Sequence, residues 1–278
     1  IDLTKDRIVD FLNYLENNRN NSISTRNSRL AAIHSFFKYL QYEYPDYIDE
    51  YTKILNIPFK KAKTKQMSYL TVEEMMKLIG VIDKSNKYGY RDYMIILLMY
   101  ESAIRVSELI NVRLIDFRFS KPYSIKIVGK GNKQRYVPLS EQFIEKVQEY
   151  VLSLNNKKLE TDFLFTNHSN NKLTRAGVSH ILNKYVIIAK KNNPSLFKEN
   201  VTPHTLRHTK AMHLLQDDVN LIYIRDILGH SSIQTTEIYA RADSARLRQA
   251  IEKSYKELST ETKCEWQEEE IINWLKSF

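Results

Sequence analysis

Tyr239 stands nine residues after His230, which closes the run L-G-H at 228–230, and H-T-L-R-H lies farther upstream at 204–208. A phenol preceded by these two histidine-bearing segments has the layout for attacking a phosphodiester with tyrosine. Breaking such a bond takes a nucleophile, positive charge on the non-bridging oxygens and a proton for the leaving oxygen. Without a metal, guanidinium groups suit the second task, because they stay protonated and bind phosphate oxygens in pairs. Two arginines and one lysine are therefore expected beside the tyrosine, with DNA as the partner. Most of the 18 tyrosines serve packing; the turn and the histidine before Tyr239 set it apart.

These groups need helices to hold them. In V-T-P-H-T-L-R-H at 201–208, Thr202 suits an N-cap and Pro203 the first helical position, so His204 and Arg207 fall three apart on one face. The free amides of a helix start attract phosphate, and an imidazole and a guanidinium there build an anion site. His204 and His208 are also spaced i,i+4 as metal ligands would be, but they lack the glutamate of H-E-x-x-H and a clear third ligand, so no metal is expected. Helical periodicity from Val219 to Leu228 ends at Gly229, placed to turn the chain at His230, after which Ser231 or Ser232 can cap a short helix carrying Tyr239.

Elsewhere, helical periodicity covers 4–17 and 24–42; in the second stretch Leu30, Ile33, Phe37 and Leu40 share a face, with Arg26, Arg29 and Lys38 off it. The segment 57–68 begins at I-P-F, is poor in apolar residues and holds Lys60, Lys61, Lys63 and Lys65. It is expected to link an N-terminal helical bundle, 1–56, to a second domain, 69–278. If the two domains clamp a duplex, Arg26, Arg29 and the four lysines are candidate phosphate contacts, giving affinity without sequence information. A solvated basic face and an ordinary linker have the same pattern. Thr71 and Glu74 form a capping box, and helices are expected at 91–102, 105–111, 175–191, 202–216, 219–228 and 245–258. Two β-rich runs, 123–128 and 134–138, flank G-K-G-N-K and predict a hairpin with its tip at 129–133. The fold expected is mainly α with a small antiparallel β-sheet.

Composition agrees with this partner. The 278 residues carry 42 Lys+Arg against 33 Asp+Glu, a net charge of +9, which suits a polyanion though many soluble proteins share it. A single cysteine, Cys264, excludes an internal disulfide framework and a cysteine-rich zinc site and fits a reducing cytoplasm. No apolar run reaches the roughly 18 residues of a membrane span; the stretch 93–100 is apolar enough to be buried but too short to cross a bilayer. Opening on isoleucine rather than methionine suggests a processed or shortened chain, and abundant Lys, Asn and Ile hint at an AT-rich genome and a bacterial mobile element.

Taken together the motifs resemble a tyrosine recombinase of the phage-integrase family. A-I-R-V-S-E-L at 103–109 resembles the motif of the first catalytic arginine, here Arg105, with Glu108 as the supporting acid. G-K-G-N-K resembles the hairpin presenting the catalytic lysine, Lys130. H-T-L-R-H resembles H-x-x-R, giving His204 and Arg207; L-G-H gives His230, and Tyr239 falls where the nucleophile is expected. The match runs from about 70 to 245, and six positions in order are far more specific than any one. One departure is S-A-I-R, where the family often has glycine before the arginine.

The resemblance implies a 3′-phosphotyrosyl intermediate that conserves bond energy, so no cofactor, metal or ATP is required. Arg105 and Arg207 would neutralise phosphoryl charge and Lys130 would protonate the 5′-oxygen. His204 would take the phenol proton or hydrogen-bond the phosphate, and His230 would bond a phosphate oxygen. The cationic pocket is also expected to ease ionisation of the phenol, which ordinarily titrates near 10. In the tail, Trp266, Ile271, Ile272, Trp274, Leu275 and Phe278 need a partner; the resemblance favours docking on a neighbouring protomer in a tetramer on two DNA sites, and folding back is the alternative. Relaxation or hairpin-forming chemistry by the same site, chromosome or plasmid resolution, a catalytically idle DNA-binding protein and a metal-dependent nuclease are the competing functions.

Overall fold

The computed structural model describes residues 3–62, 67–154, 159–197, 200–230 and 232–242, and the chain divides into two compact units, Ile1–Gln66 and Met67–Phe278. In the first, the Thr4 side chain accepts the Arg7 amide and opens α1 (Lys5–Asn17), and the Ser22 side chain accepts the Thr25 amide and opens α2 (Ile23–Glu43). Each cap satisfies an amide that a first turn leaves unpaired. A 3-10 turn begun by Pro45 leads into α3 (Ile48–Leu55), an addition to the helices expected from sequence. Ile8, Leu12, Leu30, Phe37, Ile54 and Ile57 form the buried core.

Arg26 is corrected by this core. It follows the buried side of α2, one turn before Leu30, and is only 5% exposed. Its guanidinium donates to the Pro58 carbonyl and the Asn27 side chain, both at 3.3 Å, so it ties the chain together rather than facing a phosphate. The expected linker also starts later than its composition suggests. Ile57 belongs to the core, Asn27 pairs with both backbone groups of Lys60, and the Lys60 ammonium pairs with Glu16. Arg29 and Lys61 are exposed, while Lys63 and Lys65 lie outside the described residues.

In the second unit the capping box of Thr71 and Glu74 opens α4 (Val72–Gly80). The next helix, α5 (Lys87–Glu101), begins a turn before its apolar run, where Asn86 accepts the Gly89 amide, and buries Tyr93, Met94, Ile95, Ile96, Leu98 and Met99. A helix apolar on nearly every side belongs at the centre of a domain. Its two buried charges, Arg91 and Asp92, pair at 2.7 Å, and the Tyr185 hydroxyl donates to Asp92 at 3.0 Å. After α6 (Val106–Leu109) come β1 (Phe117–Arg118), β2 (Ser124–Val128) and β3 (Gln134–Pro138), antiparallel in the order β1-β2-β3. Ile125 opposes Val137 and both turn into the core.

Then follow α7 (Glu141–Ser153), α8 (Arg175–Asn192), α9 (Pro203–Gln216), α10 (Leu221–Leu228) and α11 (Gln234–Ala242). The architecture is mainly helical with one small antiparallel sheet, as expected; β1 and α7 are additions. Ala211 and Met212 of α9, Ile224 and Leu228 of α10, Tyr239 of α11 and Ala103 make a separate small core. The helix expected at 245–258 and the apolar tail lie outside the described residues. No described helix is long and apolar enough to cross a membrane.

Candidate active site

At the start of α9, Thr202 and Thr205 exchange hydrogen bonds between each other's amide and hydroxyl, at 3.0 and 3.2 Å, and Pro203 takes the first helical position. This leaves His204 exposed at the helix start, with Arg207 a turn deeper and only 1% exposed. Arg207 is anchored on backbone oxygens, donating to Ala103 at 2.7 Å and to Leu228. Burial, then the neighbouring Arg105 and Arg135, pull its pKa down to about 9, so it stays charged at neutral pH. Arg105, His204, Arg207, Ser179 and Thr202 help line a cleft of about 380 Å³.

Three guanidinium groups meet the end of α10, each on a different carbonyl. Arg135 donates to Ile227 at 3.0 Å, Arg207 to Leu228, and Arg105 to Gly229 at 3.3 Å. A helix C-terminus carries about half a negative charge on such free carbonyls, so it draws cations together. Gly229 makes the turn possible. Its φ is +62°, and a Cβ there would lie 2.9 Å from Arg135 Cδ, so any side chain meets both strain and a clash.

Glu108 offsets the mutual repulsion of this group. Its carboxylate is buried, accepts two bonds from Arg135 at 3.0 and 2.8 Å, and accepts the Arg105 guanidinium at 2.9 Å. Burial alone would raise its pKa, but the hydrogen bonds from Arg135 and Arg105 outweigh that and hold it below the ordinary carboxylate value. Breaking one side of a buried ion pair costs about 3–5 kcal/mol. Glu108→Ala is therefore expected to lose that much stability by chemical denaturation. A loss under about 1 kcal/mol, the surface-pair range, would mean that solvent rather than Glu108 compensates the arginines.

Tyr239 on α11 is 1% exposed, and its phenol oxygen lies 2.8 Å from His208 Nδ1. His208 lies beside His204, with ring centroids 4.3 Å apart. His230 is tied to the same helix at another point: its Nδ1 lies 3.0 Å from the hydroxyl of Thr236, a fully buried residue near the start of α11. Burial first, and then the surrounding cations and histidines, push His208 and His230 down to about 4, so both are neutral near pH 7. The expected easing of tyrosine ionisation is not found. Burial raises the Tyr239 pKa by more than Arg207 and Arg105 lower it.

Residues 68–246 match the family model described as the phage integrase family. The chain belongs to that family. It is 33% identical to tyrosine recombinase XerD of Staphylococcus haemolyticus, over 82% of this chain and 74% of the relative. It is 34% identical to tyrosine recombinase XerA of Pyrococcus horikoshii, over 88% and 79%. Among solved structures, the XerH site-specific recombinase in its post-cleavage complex with a palindromic difH substrate superposes with a TM-score of 0.72 at 27% identity, covering 90% of this chain and 72% of that one.

In this recombinase, then, Arg105, Glu108 and Arg207 come together around the end of α10, with His204 on the same cleft and Tyr239 reached through His208. The backbone of Lys130 lies at the tip between β2 and β3, where Gly131 takes a φ of +71°. The start of the hairpin's loop adjoins Glu108: a Cβ on Gly129 would sit 3.2 Å from its carboxylate. At S-A-I-R, Ala103 itself adopts the left-handed conformation, φ +48°, with the carbonyl that Arg207 binds. That geometry explains why glycine suits the position; for alanine it costs about 1–2 kcal/mol. Sequence reasoning did not single out Arg135. The available signal was strand alternation, which puts Arg135 on the same inward face as Val137. Among the described residues no cluster of three potential metal ligands occurs.

Proposed function

We propose that this chain recombines DNA at specific sites, cutting and rejoining strands through a covalent bond between Tyr239 and a 3′-phosphate. The observation that carries this reading is the convergence of Arg105, His204 and Arg207 on one cleft, with a buried tyrosine attached to the same helix, α9, through His208. A phosphodiester in that cleft meets fixed cations that need no rearrangement as charge develops. The Tyr239 oxygen bonds to phosphorus, the bond to the 5′-oxygen breaks, the phenol gives up its proton, and the Lys130 ammonium supplies one to the leaving oxygen. His204 and His230 hydrogen-bond the phosphate. The 5′-hydroxyl of a second duplex then reverses the step and completes strand exchange.

Resemblance to DNA-bound recombinases such as the difH complex supports duplex DNA as the substrate. Arg29 and Lys61 on the first unit, with Lys63 and Lys65, contact phosphates of the duplex, whereas the Lys60 ammonium is held by Glu16. Arg26 is withdrawn from that role. Four copies act on two sites through the apolar C-terminal tail, and the work is done in the bacterial cytoplasm, where the DNA lies. A nicked substrate that loses its 5′-hydroxyl fragment after cleavage tests the chemistry. The expected outcome is covalent DNA that chelator does not suppress, with the nucleotide located on Tyr239 by mass spectrometry of the digested complex. An adduct on another side chain, or none, ends the proposal.

A further inference from the structure

We infer that His208, not His204, is the catalytic base that takes the proton of Tyr239 as the phenol attacks. The inference rests on the recombinase reading above and adds a residue and a role to it. Among the described residues, His208 Nδ1 is the side-chain atom hydrogen-bonded to the phenol oxygen, at 2.8 Å. That is the reach required of a general base. The geometry is fixed from both sides: α9 is anchored through Arg207, and Tyr239 is packed against Ala211, Met212, Ile224 and Leu228.

The proton needs such an acceptor. Tyr239 is 1% exposed, and burial keeps its phenol protonated at neutral pH, so solvent cannot easily remove the proton. The other groups around the phenol are unsuited. Arg105 and Arg207 are donors with no lone pair to offer, and the Nδ1 of His230 is engaged with Thr236. His208 is held unprotonated by burial and by His204, Arg207 and His230 around it, leaving a nitrogen free to accept. A phosphodiester bound in the adjoining cleft adds a negative charge close to both histidines, which raises the basicity of His208 at the moment of use. His204, exposed and with its ring centroid 4.3 Å from that of His208, gives the proton a neighbour on the solvent side. In balance, the phenol proton moves to His208 Nδ1, the tyrosine oxygen gains phosphorus, and the 5′-oxygen gains the proton of Lys130.

Single-turnover cleavage of the nicked substrate by the full chain, from about pH 6 to 9, tests this with His208→Asn and His208→Ala. Asparagine keeps an acceptor oxygen near the position of Nδ1 but cannot take a proton. Both variants are expected to cleave about 10²–10⁴-fold more slowly at neutral pH. Their deficit should shrink about tenfold for each unit the pH rises, as the fraction of phenol already ionised before attack grows and makes up for the missing base, while the wild type stays nearly flat. If His208→Asn cleaves within about threefold of the wild type, the histidine merely positions the phenol and the inference is overturned. A deficit of constant size at every pH also overturns it, since that is the mark of a structural defect. Failure of the recombinase reading looks different: the wild type itself would then form no adduct on Tyr239.

Discussion

Tyr239→Phe is expected to bind its DNA site with unchanged affinity and to form no covalent complex. The substitution removes one oxygen and leaves the ring, which packs with Ala211, Met212, Ile224 and Leu228. The structural cost is that of one buried hydrogen bond to His208, about 0.5–1.5 kcal/mol, with the unpaired imidazole nitrogen adding to it. A folded domain survives such a loss, so the missing adduct reports chemistry alone. The comparison is made by denaturing gel for the adduct and by gel shift for binding. A covalent complex persisting in the phenylalanine variant would require a different nucleophile, and none of the roles assigned around α10 would stand.

Arg207→Ala should be nearly as damaging to rate and worse for stability. An arginine at a transferring phosphoryl group contributes about 10³–10⁵ in rate, and a loss of that size is expected in single-turnover cleavage. Removing the guanidinium also strips the donors from the Ala103 and Leu228 carbonyls; leaving a buried acceptor unpaired costs about 1–3 kcal/mol each. Arg207→Lys keeps the charge but lacks the planar fork that reaches both oxygens at once, so it should recover only part of either loss. Cleavage by Arg207→Ala within about tenfold of the wild type, well below the range for a transferring phosphoryl group, would show that Arg207 is a brace and that Arg105 neutralises the phosphate by itself.

Much of this site was legible in the chain because its signals are local. The Thr202–Pro203 helix start, the Thr71–Glu74 box, the turn at Gly229 and the hairpin around G-K-G-N-K each follow from a few adjacent residues, and each is present. What escaped depends on distant partners. Arg26 has the composition of a surface cation, and only the Pro58 carbonyl, 32 residues on, turns it inward. Arg135 joins Glu108, 27 residues back, and Ile227, 92 residues ahead, and no window on the sequence contains that triangle. His208 was visible, but only the packing of α11 against α9 decides that it, rather than His204, meets the phenol. The ionisation of Tyr239 was misjudged because counting nearby cations omits the penalty of burial, which here is the larger effect.

The end of α10 offers consecutive carbonyls to three guanidinium groups, and ten residues after Gly229 the same backbone delivers Tyr239. Nucleophile and charge cage thus hang from one hinge. Substitutions that deform the Gly229 turn are therefore expected to disturb the three arginines and the nucleophile at once.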